Sequence, residues 1–322
     1  MRFDLRAPAT GAPTTELYQA ALEMARWTED RGALVAILCE HHGMEDGYLP
    51  SPLILATAMA ARTTTLPIMV AAVILPLWHP IRLAEEMVIL DIVSQGRVSY
   101  VAAIGYRPEE YDMYAIDFHR RGAIAEDLLG VLLRAKSGEP LEYEGRTVQV
   151  TPPPVTPGGP GVAWGGGSVA AARRAGRHGL DFFAQRGDPS LELAYRREAE
   201  AHGHQPGVCM LPEDHMTTAL FVAEDVDLGW EELGPYLMHD VTMYSRLNEG
   251  TAHSASISSA TTSDELRGEN TSHRIVTVDE AVTLVRSGQP LQLHPLIGGL
   301  PPDLAWRYLR TVVDDVMPAA AG

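Results

Sequence analysis

The run Cys39-Glu40-His41-His42-Gly43 sets a carboxylate beside two imidazoles. Such side chains exchange protons near neutral pH, and a histidine can act there as acid, base or hydrogen-bond donor. The run follows the apolar residues 33–38, where a strand would end and a loop begin. Neighbouring strand residues point to opposite faces, so an adjacent His-His pair is a poor chelate. With no spaced His-x-His motif following, no metal is expected. From the residues alone, His41 and His42 are either proton-transfer groups or the plain end of a strand.

A second candidate is Trp164-Gly165-Gly166-Gly167-Ser168. Glycines after an apolar stretch let backbone approach a ligand closely. Ser168 is placed to cap the helix that follows, and the amides of a helix start favour a phosphate. The same residues also suit an ordinary glycine-rich turn. The spacing is neither a Rossmann fingerprint nor a Walker motif. A third candidate is Val70-Ala71-Ala72-Val73, followed by Leu75-Pro76-Leu77-Trp78-His79-Pro80. Small residues at a strand end leave room for a flat ring. Gly105-Tyr106-Arg107-Pro108-Glu109-Glu110 likewise ends a strand, and Arg107 is either a cofactor or substrate contact or, as the residues alone favour, half of a surface ion pair.

The elements that must position these clusters follow from hydrophobic period. Strand-like runs are expected at 3–5, 33–38, 67–75 and 98–104, and helices at 14–31, 52–61, 80–93 and 121–136. Thr14 is a possible helix cap. Strand-then-helix alternation implies a parallel sheet with helical crossovers. About eight such units in a chain of this length suggest an α/β fold of the (β/α)8 TIM-barrel type, a single domain over 1–322. An insertion falls at about 138–160, where Pro140 to Val150 reads as a hairpin around Glu144-Gly145. The Pro- and Gly-rich stretch 151–161 reads as an irregular connector. The polar stretch 248–272 reads as a mobile loop and candidate lid.

The chain has 322 residues and a formal net charge of -17. That charge argues against nucleic acid or an anionic membrane as partner. Hydrophobic residues make up 46%, enough for a large core, and two cysteines are too few for a disulfide framework. Neither a signal-peptide core nor a membrane-spanning run stands out, so a cytoplasmic location is expected.

Taken in order, these motifs resemble the bacterial luciferase-like flavin monooxygenases. The resemblance rests on Glu40-His41-His42, Ala71-Ala72, residues 79–86 (HPIRLAEE), 91–97 (DIVSQGR), 105–110 (GYRPEE) and Gly166-Gly167-Ser168. It runs almost continuously from 38 to 179 and weakly beyond. The resemblance implies a barrel with an insertion, a homodimer, and a reduced flavin at the strand C-termini. It implies that His41 is the active-site histidine supporting oxygen chemistry on the flavin. Ala71-Ala72 matches the position where luciferases carry a non-proline cis peptide beneath the flavin ring. Gly166, Gly167 and Ser168 fall where the family binds the FMN phosphate. The sequence departs from luciferase alpha chains at Ala103-Ile104, which replace a Cys-Arg pair whose arginine helps hold the phosphate, and at Ala171, which replaces a phosphate-binding threonine.

The reading implied is a monooxygenase that uses reduced FMN from a separate flavin reductase, together with O2, to oxidise a small organic substrate. A hydride-transfer enzyme using a reduced deazaflavin is the close alternative. A non-catalytic flavin-binding protein and, more distantly, a non-flavin barrel remain. Trp78, Tyr106, His239 and Tyr244 are candidates to line the substrate pocket, and each has an equally good structural reading.

Overall fold

The computed structural model describes residues 1–213, 216–248 and 257–322. In chain order the strands are β1 (Arg2–Phe3), β2 (Ala36–Leu38), β3 (Ile68–Ile74), β4 (Val98–Ala103), β5 (Leu141–Tyr143), β6 (Arg146–Val148), β7 (Gly161–Gly166), β8 (Phe182–Ala184), β9 (Cys209–Met210), β10 (Ala219–Val222) and β11 (His273–Val276). The helices are α1 (Thr14–Glu29), α2 (Pro52–Ala60), α3 (Pro80–Ser94), α4 (Pro108–Met113), α5 (Arg121–Ala135), α6 (Val169–Arg177), α7 (Pro189–Ala201), α8 (Val226–Leu247), α9 (Ser263–Glu269), α10 (Val278–Arg286), α11 (Pro302–Thr311) and α12 (Met317–Ala321). The chain forms two compact units: Met1–Ala36 with Met44–Leu49 and Glu213–Gly322, and Ile37–Gly43 with Pro50–Pro212. No helix among the described residues is long and apolar enough to cross a membrane.

The second unit is an α/β layer whose strands run in the order β2-β3-β4-β7-β8-β9. Pairing is parallel from β3 through β9, as helical crossovers require. The register between β3 and β4 shifts between Ala71 and Val73, and the Ala71–Ala72 peptide there is cis. Pro80 opens α3 at a position where a missing N–H costs nothing. Gln95 in the left-handed region and then Gly96 close it. The hairpin expected around Glu144-Gly145 is present as β5 and β6. Both turn residues have positive φ, at 48° and 71°, the conformation that matches strand twist in a two-residue turn.

In the first unit, β10 and β11 pair in parallel. Leu220, Val222, Val276, Ala281, Val282, Val312 and Val316 form an apolar cluster around them. Thr277 and Glu280 cap α10 reciprocally.

Some expectations need correction. Thr14 is the first helical residue rather than the cap, because Pro13 takes the cap position and offers no side-chain acceptor. The expected mobile loop at 248–272 contains helix α9, capped by the Thr262 side chain and closed by Asn270 in the left-handed region. Polar composition hid that helix. Of the remainder, 249–256 lie outside the described residues.

Candidate functional site

The end of β2 carries Glu40, His41 and His42, all buried. His41 Nδ1 lies 2.7 Å from Glu110 Oε1, and Tyr106 Oη lies 3.0 Å from His41 Nε2. His42 is held the other way round. Its Nε2 is 2.8 Å from Glu40 Oε1, and Tyr114 Oη is 3.1 Å from its Nδ1. Each imidazole thus spans a buried carboxylate and a tyrosine hydroxyl.

The carboxylates are fixed in turn. Glu110 Oε1 also accepts the His42 amide at 2.9 Å, and Arg107 Nη1 stands 3.6 Å away. Burial alone would push the Glu110 carboxyl up. The hydrogen bond and charge of His41, the His42 amide and Arg107 outweigh it, and the group is held below its ordinary range. Glu40 accepts the Ile74 amide at 2.9 Å and Trp78 Nε1 at 3.0 Å, tying the end of β2 to that of β3. Arg107 also donates to the His42 carbonyl at 2.9 Å. It is therefore a largely buried strut that also makes the expected ion pair with the exposed Glu109 at 3.7 Å, because Pro108 starts a helix that brings Glu110 back beneath it.

An ionised carboxylate only accepts hydrogen bonds. Glu110 therefore fixes the proton of neutral His41 on Nδ1 and leaves the Nε2 lone pair towards Tyr106.

Ala71, Ala72 and Ala103 lie half-buried on the adjacent strands β3 and β4, where Ile74 pairs with Ala103. Trp78 is half-buried and joins the network through Glu40. Gly166, Gly167 and Ser168 end β7, which pairs with β4. Ser168 accepts the Ala171 amide at 3.2 Å, so it caps α6 as its type suggests. The glycines differ in what they do. A Cβ on Gly165 would come within 2.9 Å of Val101, and one on Gly166 within 2.7 Å of Ala171, so packing demands both. A Cβ on Gly167 would meet nothing nearer than Gln185 at 3.4 Å, so packing does not demand this glycine.

Residue types alone did not single out Glu110, Tyr114 or Arg186. Arg186 follows β8 and pairs with Asp188 at 3.1 Å, while its buried Nε lacks a hydrogen-bond partner. Arg186 thus lies two residues past the end of β8, whose neighbour in the sheet is β7. An orphaned N–H two residues past a glycine-facing strand is visible only in the fold.

His239 belongs to the other unit, where its Nε2 is 2.9 Å from Asp46 Oδ2. Tyr244, in the same unit, has its hydroxyl bonded to Arg2 and 3.2 Å from that of Tyr48. That unit encloses a dense ionic group. Arg6 Nη1 is 2.7 Å from Asp46, and its Nε is 3.3 Å from Asp4 and 3.4 Å from Asp240. His273 pairs with Asp240 at 3.0 Å and His294 with Asp4 at 3.1 Å. Ligand atoms of Asp4, Asp240 and His294 approach within 4.8 Å of one another. The Arg6 guanidinium sits against both carboxylates, so the cation they hold is an arginine.

With this geometry in place, the comparisons are specific. The model of the luciferase-like monooxygenase family matches residues 1–286. The alkanal monooxygenase alpha chain of Photorhabdus luminescens is 26% identical over 201 residues, covering 59% of this chain and 56% of that one. The chain spans between 38% and 56% of the length of the first relatives it matches. Among solved structures, the monooxygenase RslO1 from Streptomyces bottropensis superimposes with a TM-score of 0.74 at 21% identity, over 99% of this chain and 98% of that one. The oxygenating constituent of 3,6-diketocamphane monooxygenase from Pseudomonas putida, solved with FMN, gives 0.66 at 16% identity, over 99% and 97%. At these identities the likeness shows a shared fold.

Proposed function

The chain belongs to the luciferase-like monooxygenase family, and from that membership and the site geometry we propose that it is a flavin-dependent monooxygenase. It takes reduced FMN from a separate reductase, uses O2, and oxidises a small organic substrate. It works as a homodimer. The observation that carries this reading is the conjunction, in one unit, of the buried Glu110–His41 pair and the capped glycine-rich start of α6.

The residues present fit such a cofactor. Ala71, Ala72 and Ala103 offer a small, half-buried surface on neighbouring strands for a flat ring. Gly167 leaves backbone accessible, and the first turn of α6 supplies amides to a phosphate. Arg186 supplies the cation that Ile104 cannot. FMN, when bound and reduced, supplies the electrons that activate O2. The chain's own part is to orient, to exclude water and to handle protons. Glu110 holds His41 with its proton on Nδ1, so Nε2 is the atom at which a proton is received or returned. Tyr106 lies at that position and Trp78 joins the neighbouring Glu40–His42 pair, and both are candidate substrate contacts.

Anaerobic titration of the protein with reduced FMN, and in parallel with a reduced deazaflavin, tests this reading. Binding of FMN followed by rapid reoxidation on admitting O2 is the expected result. Binding of deazaflavin alone would make the chain a hydride-transfer enzyme, and binding of neither would overturn the flavin assignment.

A further inference from the structure

We propose that the groove between α6 and α7 is a second anion site, which gathers the phosphate of incoming reduced FMN beside the start of α6. The inference rests on the flavin reading above and deepens it by naming where the cofactor's charge is first met. The groove encloses about 230 Å³, and its lining includes Val169, Arg173, Ser190, Leu193, Arg197 and Glu198. Val169 directly follows the Ser168 cap, so the groove adjoins the first turn of α6.

Charge sets this groove apart. Arg173 and Arg197 are exposed and, among the described residues, neither has an ion pair or a hydrogen bond. The other arginines of the two helices are neutralised. Arg174 lies 2.9 Å from Glu126, Arg177 lies 2.9 Å from Glu126 and 3.2 Å from Glu198, and Arg196 lies 2.7 Å from Glu192. The Glu198 carboxylate in the lining is thus already answered by Arg177. Two uncompensated cations therefore border one groove, on a chain whose formal net charge is -17.

A phosphate monoester carries a charge of about -2 at neutral pH. A chain this acidic repels it at long range, so attraction has to come from a local patch of opposite sign. Such a patch speeds encounter more than it tightens binding. Val169 and Leu193 are 38% and 51% exposed, so the groove also offers apolar surface. A ligand with both an anionic and an apolar part, as FMN has, suits it better than a bare ion. The first turn of α6 then holds the phosphate that the two arginines have brought to it.

The test compares wild type with the Arg173→Gln/Arg197→Gln double variant by anaerobic stopped flow. At low salt, association of reduced FMN should slow by about tenfold in the variant, while association of reduced riboflavin stays unchanged. At about 0.5 M salt the difference should vanish. An FMN rate equal to wild type at low salt, or an equal slowing of riboflavin, would overturn the proposal. Separately, the flavin-free wild type is titrated with phenyl phosphate, following the arginine Nε–H resonances by nitrogen-15 NMR. Those of Arg173 and Arg197 should shift and saturate, and phenol, the uncharged control, should leave them in place. A pair that is merely solvated would show no saturable shift, and that result would also overturn the proposal. If the wild type binds neither flavin, the flavin reading falls, and the phenyl phosphate titration still decides whether the groove is an anion site.

Discussion

Both units of this chain bury histidines against carboxylates and an arginine, yet they use them differently. In the first unit Asp4, Asp46, Asp240, Arg6, His273 and His294 are internal, and the three carboxylates converge on one guanidinium. In the second, Glu110 and His41 are equally internal, and His41 Nε2 faces the hydroxyl of the half-buried Tyr106. Under the proposed function, identical residue types make a structural ionic core in one place and a proton-handling site in the other. What separates them is what is bridged: each imidazole of the second unit spans a carboxylate and a tyrosine hydroxyl, whereas the carboxylates of the first converge on one guanidinium.

The largest expected effect sharpens that contrast in stability. Arg6→Ala leaves three buried carboxylates without their shared cation and should lower unfolding free energy by about 3–5 kcal/mol, measured by denaturant titration. Tyr106→Phe should hardly move it. Next comes Glu110→Gln, whose amide can donate to His41 and so reverse the ring tautomer. O2-driven reoxidation of bound reduced FMN should slow by about a hundredfold while binding persists; a wild-type rate would remove Glu110 from the site.

A smaller effect should appear in acid. Asp4, Asp46, Asp240 and Glu110 are all held below their ordinary carboxylate range, with ion pairs and hydrogen bonds outweighing the upward push of burial. The unfolded chain therefore binds protons first as pH falls. Stability is complete above about pH 4 and is lost as pH drops from there through the lower folded values. Asp46→Asn should flatten this acid limb, read from unfolding free energy against pH, and an unchanged slope would contradict the assignment. The smallest change is Ser168→Ala, which removes the α6 cap and should cost about 1 kcal/mol.

Much of the second unit is legible from sequence. Alternation of apolar runs marks β3, β4 and α3, and Glu144-Gly145 marks its hairpin because only a narrow set of residues tolerates that turn. Ser168 is legible as a cap for the same local reason. Glu110, Tyr114 and Arg186 are not, since their importance comes from contacts such as the 69-residue separation between His41 and Glu110. Arg107 is legible as half of an ion pair, made with the exposed Glu109, but its contacts to Glu110 and the His42 carbonyl arise only from the turn into α4. In the first unit, nothing in Asp4-Leu5-Arg6 announces a partner such as Asp240, and nothing near His239 announces its bond to Asp46.

The central claim is that the start of α6 receives the phosphate of FMN in a site whose chemistry runs through His41. Ser168→Asp addresses it most directly. Aspartate caps a helix as well as serine and suits the helix dipole, so the fold should be retained. Its carboxylate would repel a phosphate. Binding of FMN and of riboflavin, which lacks the phosphate, should be measured by titration on both proteins. The account predicts FMN affinity weakened by about tenfold or more, a cost near 1.4 kcal/mol, with riboflavin affinity unchanged. Equal FMN binding by the variant and the wild type would contradict it.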